Sequence, residues 1–247
     1  MGLGACPGRG WAVPARRVPG TAPGARAAPE TLTRGRCGLV PAQGGPASGS
    51  GEGPAGDFAA YFAAYNAEFD RARAGLSVAA LGRLLAWLEE TRLAGRQLFV
   101  LGNGGSAASA SHWACDFGKG VRAGGHPGLR VLCPAEQTSW LTALSNDISY
   151  ADALAEHLGN WVLPLDLIVA LSVSGDSENL VRAFHLGRRR GARLVAVVGQ
   201  AGGRLRQQAD LAVVIPSRDY GVVEDLHMTV NHTLSQFIRR RLQGDGG

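Results

Sequence analysis

The chain has 247 residues, 25 Lys/Arg against 20 Asp/Glu for a formal net charge of +5, and 45% hydrophobic residues. That size permits one domain with appendages or two small ones. No apolar run approaches the roughly 18 residues a membrane span needs, and four cysteines without a CxxC pair fit a reduced, cytosolic setting. The positive charge does not argue for nucleic acid. About three of the five excess charges sit in the first 57 residues, and the other basic runs, Arg188 to Arg190 and Arg239 to Arg241, fall at expected helix C-termini, where cations are favoured.

Residues 1–57 hold 14 of the 36 glycines and 8 of the 12 prolines, with no hydrophobic period. Such a segment cannot bury enough apolar surface to offset its chain entropy. It is expected to be a disordered extension, or sequence upstream of the true start, and it lacks the apolar core of a signal peptide. Residues 58–247 are expected to form one domain. Helices are expected over 58–74 and 78–94, the second with an apolar stripe of Leu81, Leu84, Leu85 and Leu88. A strand over 97–101 (QLFVL) leads to a helix over 106–117. A second strand over 129–133 precedes a mostly helical stretch, 138–158, with a break near Asn146 and Asp147. A third strand over 166–171 (DLIVAL) precedes a helix over 178–190. Strands over 193–198 and 211–215 and a long helix over 223–242 complete the pattern. Continuous Val/Leu/Ile strands alternating with helices imply an α/β fold, a doubly wound parallel five-stranded sheet flanked by helices.

In such a sheet ligands bind beyond the carboxyl ends of the strands, and two such ends carry polar turns. The first is Gly102-Asn103-Gly104-Gly105-Ser106. A strand ending in glycines and opening a helix presents free backbone N–H groups and the positive end of the helix dipole, a site for an anion such as phosphate; Asn103 and Ser106 add side-chain donors. The second, Ser172-Val173-Ser174-Gly175-Asp176-Ser177-Glu178-Asn179, supplies hydroxyl and amide donors for a phosphate monoester, although Asp176 or Ser177 would also serve as a plain N-cap. His112 and Asp116 stand four apart, on one helix face, as an acid/base or metal-binding pair. His232 and Glu224 would complete a His/Asp/Glu/His set suited to Zn²⁺. Eight residues on one helix separate those two by about 12 Å of rise, too far to share a metal. Either Glu224 precedes the regular helix, or the two come from different subunits.

The segments GNGGSAASASHW, SVSGDSENL, SND at 145–147 and VEDLHMTVNH resemble the sugar isomerase (SIS) domain, over about residues 58–242. Within it they are most similar to the phosphoheptose isomerases, which convert sedoheptulose 7-phosphate into D-glycero-D-manno-heptose 7-phosphate. The resemblance implies substrate contacts from Asn103, Gly104, Gly105, Ser106, Asn146 and Asp147, and phosphate contacts from Ser172, Val173, Ser174 and Ser177. It implies that His112, Asp116, Glu224 and His232 hold Zn²⁺, that Asp116 is the general base and His232 the general acid, and that Asp116 and Glu224 also meet substrate. It further implies a homotetramer with sites at subunit interfaces, in the cytoplasm that the cysteine pattern already suggests. Three positions depart from the family pattern: Asp116 stands where Glu is common, Glu224 where Gln is common, and Val173 where Thr is common. Two other readings share these motifs. A non-catalytic SIS protein, a sugar-phosphate sensor or replication-initiation regulator, keeps the turns but can lose the acid/base pair, whereas an isomerase of another phosphosugar differs in pocket length.

Overall fold

The computed structural model describes residues 54–244. The extension expected over 1–57 lies outside the described residues as far as 53, and helix α1 (Pro54–Ala74) takes up its last four. The rest of the order is α2 (Val78–Leu93), β1 (Gln97–Leu101), α3 (Gly104–Cys115), β2 (Arg130–Leu132), α4 (Thr138–Asp147), α5 (Tyr150–Gly159), β3 (Leu167–Ser172), α6 (Glu178–Arg189), β4 (Arg193–Val198), α7 (Gly203–Gln208), β5 (Leu211–Val214) and α8 (Tyr220–Gly244). The five strands are all parallel, in the order β2-β1-β3-β4-β5, which is the doubly wound sheet expected.

The strands read as unbroken apolar runs because both faces are covered. Successive side chains point to opposite faces. Leu98 and Val100, Val169 and Leu171, and Val195 and Val197 therefore join a core shared with α2, α3 and α8. Phe99 and Leu101, Ile168 and Ala170, and Leu194 and Ala196 join a second core under α5, α6 and α7. Each fully buried Leu, Val or Ile contributes about 1.5–3 kcal/mol. Asp166, expected inside the third strand, instead precedes it. Its buried carboxylate accepts from the backbone N–H of Gln97 (2.9 Å) and of Leu163 (2.8 Å), tying the start of β1 to the approach to β3.

Local chemistry sets most boundaries. Ser77 caps α2 by accepting from Ala80 N–H at 3.2 Å. The break expected near Asn146 and Asp147 falls at Ile148 and Ser149, because Ser149 caps α5 by accepting from Asp152 N–H at 3.1 Å. Past Cys115, α3 runs into a π-helical turn over Asp116–Gly120, in which Val121 N–H reaches back to Asp116 O at 2.9 Å. The Phe117 carbonyl is then free to accept from Leu129 N–H (2.9 Å) just before β2. Helix α7 has six residues and one buried side chain, Leu205, too short to leave a hydrophobic period.

Helices α3 and α8 pack together through Trp113, whose indole N–H donates to the His227 carbonyl at 3.1 Å. The His227 side chain is fully buried, with Nε2 3.2 Å from the Val197 carbonyl. Burial pushes its pKa down from 6.5 to about 4, the hydrogen bond to Val197 opposing that shift, and burial lowers His157 in the same direction. The unfolded chain therefore takes up protons below about pH 6.5 that the native state refuses until about pH 4, so stability rises with pH across that window. For His227 alone the loss on acidification is on the order of 3 kcal/mol. Urea midpoints are expected to fall between pH 7 and pH 4.5, and a His227→Leu variant to show a flatter slope; an unchanged slope in that variant would refute the assignment.

Candidate active site

The strand order reverses between β1 and β3. Their carboxyl ends therefore open a crevice at the topological switch point, where ligands of such sheets bind. Both polar turns meet there. A cavity of 110 Å³ is lined by Asn103 and Ser106 from the first turn, by Ser172, Val173, Ser174 and Ser177 from the second, and by Tyr220 and Glu224 from α8. Within the second turn, Ser172 Oγ accepts from Gly175 N–H (3.0 Å) and Ser174 Oγ from Asp176 N–H (3.2 Å). Each hydroxyl keeps its own proton to donate. Ser177 stands at the N-cap of α6 but its side chain caps nothing, and Asp176 Oδ1 accepts from Arg204 N–H instead. The plain capping role is thus unfilled, leaving Ser177 available to a ligand.

Beyond Ser106 on α3, three side chains from different elements converge: His112 of α3, Asp116 of the π-turn that follows it and His232 of α8. His112 Nε2 and His232 Nε2 are 3.4 Å apart, and both face Asp116 Oδ2, at 3.5 and 3.7 Å. The two imidazoles meet edge to face at 73°. Two ligands bound tetrahedrally to Zn²⁺ at about 2.1 Å stand about 3.4 Å apart, so this triangle has the dimensions of one face of a zinc tetrahedron. All three ligand atoms lie within 4.8 Å of one another. Two imidazoles and a carboxylate are also a donor set that Zn²⁺ accepts. An open cavity of 280 Å³ adjoins Asp116 and His232, with Gly120, Ser235, Gln236 and Arg239 on its walls.

Glu224 does not join the triangle within this chain. It lies inside the regular helix α8, which removes the alternative that it precedes that helix. Its carboxylate lies over the N-terminus of α3, accepting from Ser106 Oγ at 3.4 Å, and a Cβ on Gly105 would stand 2.2 Å from Glu224 Oε2. Glycine at 105 is therefore what lets the acid approach, and the positive end of α3 already faces an anion of the same chain. Asn146 and Asp147 are exposed at the end of α4, hydrogen-bonded to each other at 2.9 Å, and line neither cavity.

The SIS domain model matches residues 60–199, more than half of the chain. The chain belongs to the SIS-domain family. Among its curated relatives, the phosphoheptose isomerase of Akkermansia muciniphila is 35% identical over 63% of this chain and 82% of that protein. The phosphoheptose isomerase of Chlorobium phaeobacteroides is 36% identical over 67% of this chain and 73% of its own length. The solved structure of a phosphoheptose isomerase from Francisella tularensis superposes with a TM-score of 0.69 at 19% identity, covering 76% of this chain and 100% of that one, a likeness of fold.

Three residues of this SIS domain were given no role by the sequence reading. Asn179 and Asn103 exchange amide hydrogen bonds, Nδ2 to Oδ1 at 2.9 and 2.8 Å in the two directions, and Tyr150 donates its hydroxyl to Asn103 Oδ1 at 2.8 Å. Asn103 is thus fixed by its neighbours, and the two turns are locked together across the switch point. Asn231, fully buried on α8, donates to Asp116 Oδ2 at 2.6 Å. The available signal was an amide among the apolar positions of a helix: Asn179 beside Leu180 and Val181, and Asn231 after Val230.

Proposed function

We propose that this protein is a ketose–aldose isomerase that interconverts D-sedoheptulose 7-phosphate and D-glycero-D-manno-heptose 7-phosphate. The observation that carries the reading is the convergence of His112, Asp116 and His232 on one point, in a chain whose serine turn lines a cavity with hydroxyl groups. The relatives that bear the name phosphoheptose isomerase support it. A binding-only SIS protein has no need of that triangle.

Isomerisation moves one proton between adjacent carbons, and this chain offers groups for each part. Asp116, with Oδ2 facing both imidazoles, has Oδ1 to take the proton from C1. The C–H electrons form the C1=C2 bond, and the C2 carbonyl oxygen gains a proton, giving the enediol. Asp116 then returns its proton to C2 as the O1 proton leaves, so the sum is unchanged. The serine turn holds the phosphate, with Ser174 and Ser177 donating. Zn²⁺ held by His112, Asp116 and His232 would supply polarisation of the carbonyl. One nitrogen cannot both ligate and donate a proton, so Nε2 of His232 serves as the acid where no metal is bound. Incubating purified protein with sedoheptulose 7-phosphate and separating the products tests the activity. Loss with a chelator and recovery with Zn²⁺ favours the metal, whereas activity indifferent to chelation favours His232 as acid. No heptose product under any of these conditions would reject the substrate assignment.

The same reading includes a homotetramer with sites shared between subunits. Ten residues of helix separate Ser106 from Asp116, roughly 15 Å of rise. An extended heptose 7-phosphate spans only roughly 9 Å from C2 to phosphorus at standard bond lengths. A serine cavity of one copy facing the triangle of another, with Glu224 added, would resolve that mismatch. Mixing Asp116→Asn subunits with Ser174→Ala/Ser177→Ala subunits and reassembling them is then expected to restore activity that neither has alone. A mixture as inactive as its parents would place the whole site in one chain.

A further inference from the structure

We propose that Asn231 is a positioning residue, which fixes the Asp116 carboxylate between the two imidazoles; the inference rests on Asp116 acting as proposed above. Asn231 is fully buried; on the buried face of α8 it stands among the apolar Val230, Leu234 and Ile238 and the polar His227 and Ser235. Its Nδ2 donates to Asp116 Oδ2 at 2.6 Å. A carboxylate only accepts, so the amide must present its nitrogen there, which leaves Oδ1 turned into the core. Among the described residues that Oδ1 has no hydrogen-bond partner. A buried acceptor without a partner weakens a fold, so stability alone favours an apolar side chain at 231. What the amide holds is Asp116.

The geometry states what the hold achieves. Asp116 is short, and its Oδ2 is the vertex that His112 and His232 share, at 3.5 and 3.7 Å. Rotation about the Cβ–Cγ bond would take that oxygen off the vertex. The Asn231 amide, reaching in from the core side, stops the rotation and assigns the two oxygens separate tasks: Oδ2 is anchored, while Oδ1, with no hydrogen bond among the described residues, is left for substrate. It faces Gly120, where a Cβ would stand 3.5 Å from it, on the wall of the 280 Å³ cavity.

The test is Asn231→Leu, with Asn231→Ser as the smaller change should Leu fail to fold. Turnover of sedoheptulose 7-phosphate is expected to fall about 10–100-fold, as is Zn²⁺ affinity read by calorimetry on the metal alone. KM is expected to stay within about threefold, because the phosphate turn is untouched. Melting temperature is expected to hold or rise in Asn231→Leu, the opposite of what loss of a merely structural hydrogen bond gives. On an Asp116→Asn background, Asn231→Leu should cost no further turnover, since the two residues act as one unit. Turnover within about twofold of wild type, or an undiminished loss on the Asp116→Asn background, overturns the inference. An Asp116→Asn enzyme as fast as wild type would instead overturn the site reading itself, so the two failures are distinguishable.

Discussion

Asp116→Asn is expected to lower turnover of sedoheptulose 7-phosphate by about 10²–10⁴-fold, the usual cost of losing a general base. The substitution keeps the shape of the side chain, and its amide can still meet Asn231, so the helix contact between α3 and α8 survives. What disappears is the charge that, on the proposed reading, would accept the C1 proton and balance a cation among His112, Asp116 and His232. Binding should change little, since the proposed phosphate donors, Ser174 and Ser177, stand in the turn before α6, and a normal melting temperature would exclude misfolding as the cause. A variant that isomerises at the wild-type rate would sink the assignment of Asp116 and move the protein to the binding-only branch of its family.

Gly175→Ala should be the most damaging single methyl group in the serine turn proposed to hold phosphate. Gly175 has φ +73°, and a Cβ there would stand 2.0 Å from the Gly202 carbonyl oxygen and 2.5 Å from its carbon. These are backbone atoms and cannot swing aside. The left-handed conformation and the overlap together cost roughly 2–5 kcal/mol, or roughly 5–15 °C in melting temperature for a domain of this size. The turn must shift to make room, carrying Ser174 and Ser177 with it and breaking the bond from Leu205 N–H to the Gly175 carbonyl (2.9 Å). Ser177→Ala is the comparison: it removes one donor, weakening phosphosugar binding by roughly 1.5–3 kcal/mol, and leaves the fold intact. A Gly175→Ala protein that melts within about 2 °C of wild type and binds phosphosugar normally would contradict the strain argument.

The sheet was legible in the sequence because two-sided burial leaves an unmistakable mark: strands such as LIVALS with no polar alternation. Both turns were legible because glycines and serines stand where those strands stop. The triangle was half legible. His112 and Asp116 are four apart on one helix, whereas His232 enters through the packing of α8 on α3, which no local pattern encodes. The position of Glu224 was hidden for the same reason, depending on a glycine 119 positions earlier in the chain. Helix α7 and the π-turn left no trace, one for want of length and the other because a single extra residue in a helix has no compositional signature. Asn231 was overlooked because its partner is remote, although a buried amide in an apolar stripe requires one.

The π-turn at Asp116–Gly120 constrains how this lineage can gain or lose residues. Such a turn is a helix carrying one residue more than its α-helical register. Deleting Gly118 would restore that register and leave His112 and Asp116 on their shared face. The bond from Val121 N–H to the Asp116 carbonyl would become an ordinary α-helical one, and the connection from Phe117 to Leu129, which a hydrogen bond closes, would be one residue shorter. A single-residue deletion, harmless in most exposed loops, would here tighten the approach to β2, whose pairing with β1 fixes the far end of that connection, while sparing His112 and Asp116. Among descendants of this sequence, a length change between 116 and 120 should therefore survive only alongside a compensating change between 121 and 129.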